Sequence, residues 1–237
     1  MNGTLYLVPA PLGDSTLAQI LPADVMGVAN TIQHWVVEEA KTARRFLKLY
    51  GPHRVIAELQ MSELNEHTKD DALASLLAPL KAGHNVGLIS EAGCPGVADP
   101  GANLVRLAHK AGIRVVPLVG PSSILLALMA SGASGQRFRF HGYLPVEPGP
   151  RAERLRELER DSAKLDEAQL FIETPYRNDA MVDAVLAACR PTTQLTVARD
   201  LTTADELIVS KTLDYWKRDA RPELKKRPAM FVLYASR

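Results

Sequence analysis

Short apolar segments that run directly into turns of proline and glycine constrain this chain more than any other feature. Leu5-Tyr6-Leu7-Val8 passes into Pro9-Ala10-Pro11-Leu12-Gly13-Asp14, where two prolines and a glycine forbid regular structure. Asn85-Val86-Gly87-Leu88-Ile89-Ser90 passes into a loop that ends at Asp99-Pro100-Gly101, and Ile113-Arg114-Val115-Val116-Pro117 into Leu118-Val119-Gly120-Pro121. Trp35-Val36-Val37 with Glu38 reads as another strand. Between these segments the apolar residues fall at helical period. Ala43, Phe46, Leu47 and Tyr50 stripe a helix over 40–50, stopped by Gly51-Pro52. Leu73, Leu76, Leu77 and Leu80 share one face of a helix over 70–82, with Gly83 as its C-cap. Leu104, Val105 and Ala108 point inward from a helix over 101–111. Strand and amphipathic helix in alternation define an α/β fold.

After residue 118 the pattern changes. An apolar helix over 122–129 precedes the segment 138–143, a Pro/Gly-rich loop over 145–150, and a strongly charged, exposed helix over 151–164. Segments 168–173, 194–199, 206–210 and 229–234 read as strands, and a helix over 179–189 is ended by Pro191. Strands that follow one another without helices between them imply a mixed sheet. The sequence thus predicts a parallel-sheet N-terminal α/β domain over 1–118 and a mixed-sheet C-terminal α/β domain over 119–237, a division that suits 237 residues.

Charge narrows the function. Lys and Arg number 28 against 27 Asp and Glu, and the two halves carry net −1 and +2. A strongly basic nucleic-acid binder is therefore not supported, although local basic clusters occur at Lys41/Arg44/Arg45/Lys48, Arg151/Arg154/Arg156 and Lys225-Lys226-Arg227. Cys94 and Cys189 form neither a disulfide framework nor a zinc cluster and suit a reducing, cytoplasmic setting. The first residues have no signal-peptide pattern. The longest apolar runs fall far short of the ~20 residues of a membrane span. Phosphate-loop, dinucleotide and nucleophile-elbow motifs are missing. The histidines, at 34, 53, 67, 84, 109 and 141, lack metal-ligand spacing.

The chemistry therefore rests on the strand-end loops, because ligands of open α/β sheets bind beyond the carboxyl ends of the strands. The loop from Ser90 to Gly101 is shaped to expose its backbone, and Glu91, one residue past the strand, can accept hydrogen bonds from ribose hydroxyls or an ammonium. The plain alternative is a turn in which Asp99 caps the next helix. Val119-Gly120-Pro121-Ser122-Ser123 stands equally between a ligand loop and a capping motif. Glu38-Glu39 either hold substrate groups or are helix-start charges favoured by the macrodipole.

Five loop motifs recur in a set order. Leu5 to Asp14 follows the pattern L-Y-L-V-A-T-P-I-G-N, Val37 to Arg44 follows A-E-D-T-R-H-T-R, and Ser90 to Gly101 follows S-D-A-G-T-P-x-x-S-D-P-G. Val119 to Ser123 follows P-G-P-S-A and Phe171 to Arg177 follows F-Y-E-S-P-H-R. On these motifs, over nearly its whole length, the chain resembles the tetrapyrrole methylase superfamily of S-adenosylmethionine-dependent methyltransferases. Within it the nearest pattern is the branch that methylates the 2′-hydroxyl of cytidine ribose in small-subunit ribosomal RNA. Departures fall at Glu91 (Asp in the pattern), Cys94 (Thr), Ala98 (Ser) and the segment Ala40-Lys41-Thr42-Ala43, and Met61 to Glu66 only echoes the branch's Y-H-E-H-N-E. The cofactor loops keep the pattern better than the substrate face, and the sequence stops short of the C-terminal extension of longer members.

The resemblance implies two α/β domains with S-adenosyl-L-methionine in the cleft between them, and a homodimer; methyl transfer from a sulfonium requires no metal. It carries cofactor contacts onto Leu12, Glu91, Gly93, Cys94, Ser122, Ser123, Glu173, Leu201 and Ala229. Deprotonating a ribose hydroxyl asks for a base, for which Glu39 and Glu63 are the candidates. Lys41 and Arg44 are candidates for holding RNA phosphates. Transfer of a methyl from a sulfonium mainly needs alignment, and orienting two bound partners supplies on the order of 7–11 kcal/mol. Two alternatives are a tetrapyrrole-type small-molecule methyltransferase of the same superfamily and a cofactor-binding protein without catalysis.

Overall fold

The computed structural model describes residues 1–51, 55–64, 68 and 70–236, with the side chains of 70–72 left aside. Pro52, His53, Asn65, Glu66 and His67 lie outside the described residues. The chain divides into two compact units, Met1–Ser122 and Ser123–Arg237.

The first unit is built on a five-stranded parallel sheet in the order β3-β2-β4-β1-β5. Its strands are β1 (Thr4–Leu7), β2 (His34–Val37), β3 (Gln60–Glu63), β4 (Val86–Ile89) and β5 (Arg114–Pro117). Side-chain alternation gives the sheet two faces. Tyr6, Val8, Trp35, Val37 and Ile89 pack with α2 (Ala23–Thr31) and α3 (Ala40–Tyr50), through Val25, Ala29, Ala43, Phe46, Leu47 and Tyr50. Leu5, Val36, Val86 and Leu88 pack on the other face against Leu73, Leu76, Leu77, Leu80, Leu104 and Ala108. Gly87 leaves the room that the Trp35 indole fills, since a Cβ there would stand 2.5 Å from the ring.

Several sequence expectations change here. The helix over 70–82 is broken at Leu77 into α4 (Asp70–Leu76) and α5 (Ala78–Lys81). Pro79 is the cause: it lacks the amide that would bond to Ser75, and its ring crowds that carbonyl. The edge strand β3 escapes sequence reading because its four residues, Gln60 to Glu63, are polar or half-exposed. The short α1 (Leu17–Ile20) was likewise unannounced. Gly83 does end α5, with φ +93°, the Gly83 amide bonding to the Leu80 carbonyl and the His84 amide to that of Pro79. Helix α6 (Ala102–Lys110) is entered from Gly101, so Asp99 is not its cap.

The second unit is a mixed sheet in the order β6-β7-β10-β8-β9. Its strands are β6 (Phe138–Tyr143), β7 (Ala168–Ile172), β8 (Gln194–Arg199), β9 (Leu207–Thr212) and β10 (Ala229–Tyr234). Strands β6 and β7 run parallel, while β10 pairs antiparallel with both β7 and β8, and β8 with β9. The central strand β10 is buried along its length, and Phe231 stacks on Phe171 at 5.4 Å. Helices α8 (Pro148–Leu165), α9 (Asn178–Ala188) and α10 (Leu213–Arg218) cover one face through Leu155, Leu158, Met181, Val185 and Trp216. Helix α7 (Ser123–Ser131) lies against the sheet as well, and the Gln194 amide and Ser210 hydroxyl both donate to its Ser131 carbonyl. Helix α8 differs from expectation twice. It starts at Pro148, where a missing amide costs nothing, and its charged sequence hides a buried stripe of Leu155, Leu158, Glu159 and Ser162. Buried Glu159 is satisfied by the Thr193 hydroxyl and the Arg190 amide. Among the described residues no helix is long and apolar enough to cross a membrane.

Candidate functional site

Because all five strands of the first unit are parallel, their carboxyl ends lie along one sheet edge. That edge carries the turn with Leu12 after β1, Glu39 after β2, Glu63 at the end of β3, Glu91, Gly93 and Cys94 after β4, and Ser122 beyond β5. Strands β1 and β4 are neighbours, so their loops meet: the Ala10 amide donates to the Gly93 carbonyl at 2.8 Å and the Gly93 amide to the Ala10 carbonyl at 3.1 Å. Gly93 has φ +68°, and a Cβ there would stand 3.2 Å from Leu12 Cδ2. The Cys94 thiol donates to the Pro121 carbonyl at 3.4 Å. Gly120 comes so near Pro9 that a Cβ would lie 2.2 Å from the proline ring. Three strand-tip loops thus interlock through backbone and small residues. Ser123 opens α7 and belongs to the second unit.

Beside them stands a group of carboxyls. The Thr42 hydroxyl donates to Glu39 at 2.7 Å. Burial pushes the Glu91 carboxyl up; the nearby Thr42 hydroxyl and Arg45 oppose the rise, and Glu39 and Asp99 add to it. Burial also raises Asp99, and a hydrogen bond from Ser90 holds part of that rise back. Glu39 is exposed, as are Lys41 and Arg44 on the first turns of α3. Glu63 is exposed on the edge strand and pairs in register with Val37, which brings it beside the β2 tip. Among the described residues no three His, Cys, Asp or Glu gather as a metal-binding group.

In the second unit the antiparallel register does the equivalent work. Ile172 pairs with Met230 and Arg199 with Ala229, so the ends of β7 and β8 and the start of β10 share one edge. Glu173, Leu201 and Ala229 lie there, all buried. Glu173 Oε1 accepts from the Thr174 amide at 2.6 Å and from Arg177 Nη2 at 2.6 Å. Glu173 Oε2 is buried without a partner, on a side chain that is 0% exposed. Arg227 ties the two loops on either side of this edge together, reaching Asp205 at 2.9 Å and Asp200 at 3.3 Å.

Backbone strain marks the same places. Among the described residues, five other than glycine have positive φ, and four of them lie in these loops: Ala98 (63°), Asp200 (51°), Thr202 (71°) and Lys226 (61°). Such conformations cost of order 1–3 kcal/mol each and cluster at ligand sites. Sequence reasoning missed Thr42, Tyr50 and Arg227, all of which hold loop residues in place. Their only sequence signal is a polar group where a helix or loop faces a strand tip, which is too common to single them out.

A parallel sheet with interlocked strand-tip loops, followed by a mixed-sheet unit with its own loop cluster, defines a family. The chain belongs to the Tetrapyrrole (Corrin/Porphyrin) Methylases, whose family model matches residues 4–215, and it is a methyltransferase. Its fold resembles the crystal structure of the methyltransferase CobJ, with a TM-score of 0.63 at 20% identity over 99% of this chain and 94% of that one. It also resembles uroporphyrin-III-C-methyltransferase from Thermus thermophilus, with a TM-score of 0.56 at 19% identity over 99% and 93% of the two chains. Curated relatives carry a more particular name, Ribosomal RNA small subunit methyltransferase I. The Mesorhizobium japonicum protein of that name is 35% identical over 213 residues, covering 90% of this chain and 68% of the relative. The Escherichia coli O157:H7 protein is 32% identical, covering 92% and 73%. The Xylella fastidiosa protein is 30% identical, covering 98% and 80%.

Proposed function

We propose that this chain transfers a methyl group from S-adenosyl-L-methionine to ribosomal RNA, at a ribose 2′-hydroxyl. The observation that carries the substrate assignment is the identity of 35% over 90% of the chain with a protein named for ribosomal RNA methylation. A cytoplasmic setting and a homodimer belong to the same proposal.

The residues present suit the donor. Glu173 Oε2 is a buried acceptor in want of a hydrogen-bond donor, as a hydroxyl or amino group of the adenosyl part would be. Leaving it unmet costs about 1–3 kcal/mol, which a bound ligand would recover. In the first unit Leu12 offers apolar cover and Gly93, Cys94 and Ser122 polar backbone; in the second unit Leu201 and Ala229 offer apolar cover and Ser123 polar backbone. The donor supplies an electrophilic methyl on a sulfonium. What the chain must add is alignment, exclusion of water and an acceptor for the hydroxyl proton. Glu39 suits that last role better than Glu63, because the Thr42 hydroxyl orients its carboxylate at 2.7 Å. Glu91, one residue past β4, accepts hydrogen bonds from the ribose hydroxyls or the ammonium of the donor. Lys41 and Arg44, exposed beside Glu39, serve RNA phosphates.

Calorimetry with S-adenosylhomocysteine tests the donor: binding that weakens in Glu173→Ala is expected, and no binding to the wild type would refute it. Radiolabelled methyl transfer to total RNA, to protein and to small-molecule extracts tests the acceptor. Label is expected in the RNA, and label only in the small-molecule fraction would favour a tetrapyrrole-type substrate. Mapping of ribose methylation in ribosomal RNA from a deletion strain should lose a site, and an unchanged map would reject the assignment.

A further inference from the structure

The turn Pro9-Ala10-Pro11-Leu12 is poor in donors, because Pro9 and Pro11 have no amide. Its one internal amide, on Ala10, is committed to the Gly93 carbonyl at 2.8 Å. The Pro9 carbonyl of the same peptide needs a donor from elsewhere, and it receives the hydroxyl of Tyr50, at the far end of α3. Tyr50 is 3% exposed. Its own carbonyl is held in turn by the Asn30 side-chain amide at 2.9 Å. Asn30 can sit there because Gly51 has no side chain, a Cβ at that position falling 2.0 Å from Asn30 Oδ1.

We infer that Tyr50 is a positioning residue for the methyl donor, fixing through the Pro9 carbonyl the turn that presents Leu12. The Pro9–Ala10 peptide plane is then tethered at both ends, by Tyr50 at its carbonyl and by Gly93 at its amide. With both tethers in place the chain leaves Ala10 in one direction and sets Leu12 against Gly93. With only the Gly93 tether the plane can rotate about it. Burial raises the Tyr50 phenol, so it stays a proton donor throughout the neutral range. The same helix bears Glu39, Lys41 and Arg44 at its other end, so α3 joins the turn beneath the donor to the face proposed for RNA.

This inference rests on the assignment of the strand-tip loops to S-adenosylmethionine, and the test separates the two. Calorimetry with S-adenosylhomocysteine compares the wild type, Tyr50→Phe and Leu47→Val, the last trimming a fully buried apolar residue of the same helix. Tyr50→Phe should bind about tenfold more weakly, the loss of one buried hydrogen bond. Its KM for the donor should rise with kcat at saturating donor unchanged, and Leu47→Val should bind as the wild type does. Equal binding by Tyr50→Phe, or an equal loss in Leu47→Val, overturns the inference. A wild type that binds no S-adenosylhomocysteine refutes the donor assignment instead. The tether is then read by amide exchange at Ala10, which should quicken in Tyr50→Phe and refutes the tether if it does not. Should Tyr50→Phe fail to fold, 3-fluorotyrosine at position 50, which keeps ring and hydroxyl, should bind the product as the wild type does; a tenfold loss there would overturn the inference.

Discussion

Substituting alanine at Gly120 and at Gly27 applies the same chemical change to two opposite environments. At Gly120 the new Cβ would lie 2.2 Å from Pro9 Cβ and 2.3 Å from Pro9 Cγ. Carbon atoms pack at roughly 3.5–4.0 Å, so the two loops must separate by about 1.5 Å. Pro9 has no rotamer by which to swing aside, and its carbonyl and the next amide are held by Tyr50 and Gly93. Overpacking of this kind costs about 1–3 kcal/mol. At Gly27, exposed within α2, a Cβ meets nothing within 4 Å, and alanine in a helix gains about 0.5–1 kcal/mol over glycine. The two variants should therefore move in opposite directions and differ by about 1.5–4 kcal/mol. Urea unfolding measures this, with one precaution: a two-unit chain need not unfold in one step. The tryptophans allow for that, since Trp35 lies in the first unit and Trp216 in the second. In a Trp216→Phe background the fluorescence follows the first unit alone. Gly120→Ala should also weaken S-adenosylhomocysteine binding, whereas Gly27→Ala should leave it unchanged. A Gly120→Ala protein as stable as its parent would refute the account of how these loops interlock.

Three further outcomes are expected. The raised Asp99 carboxyl means that the folded state holds its proton more tightly than the unfolded chain, so its contribution to stability falls as pH rises through the ordinary carboxylate range to the folded value; Asp99→Asn should be more stable than the parent at pH 7 and level with it near pH 3, as read by urea midpoints. Thiol labelling at pH 8 should modify half-exposed Cys94 in the native protein, more slowly when S-adenosylhomocysteine is present, while Cys189, buried and with its thiol pushed up to about 12, should label only on unfolding. Thr202→Asn should stabilise the second unit by up to about 1 kcal/mol, because asparagine accepts the left-handed backbone that a β-branched residue resists.

How far the sequence discloses this molecule follows from how local each determinant is. Strands β1, β4 and β10 are legible because a buried strand is apolar on both sides, and α3 because Ala43, Phe46, Leu47 and Tyr50 fall on one stripe. Strand β3 is not, because an edge strand such as Gln60–Glu63 needs little apolar surface. Helix α8 misleads for the converse reason: its buried stripe includes Glu159 and Ser162, whose partners Thr193, Arg190 and Ala235 lie far along the chain. The loops at the candidate site were legible as a set of turns, since proline and glycine declare themselves. Which loops touch was not, because that depends on strand order. Leu12 meets Gly93 only because β1 lies beside β4. The strain at Thr202 was equally hidden, for a β-branched residue does not announce a positive φ. Pro9 draws these points together: the sequence shows that its turn cannot be regular, but only the fold shows that Gly120 and Tyr50 decide which irregular shape it takes. Residues that carry a pattern can therefore be read from the chain, whereas residues that hold the pattern in register have to be found in the folded structure.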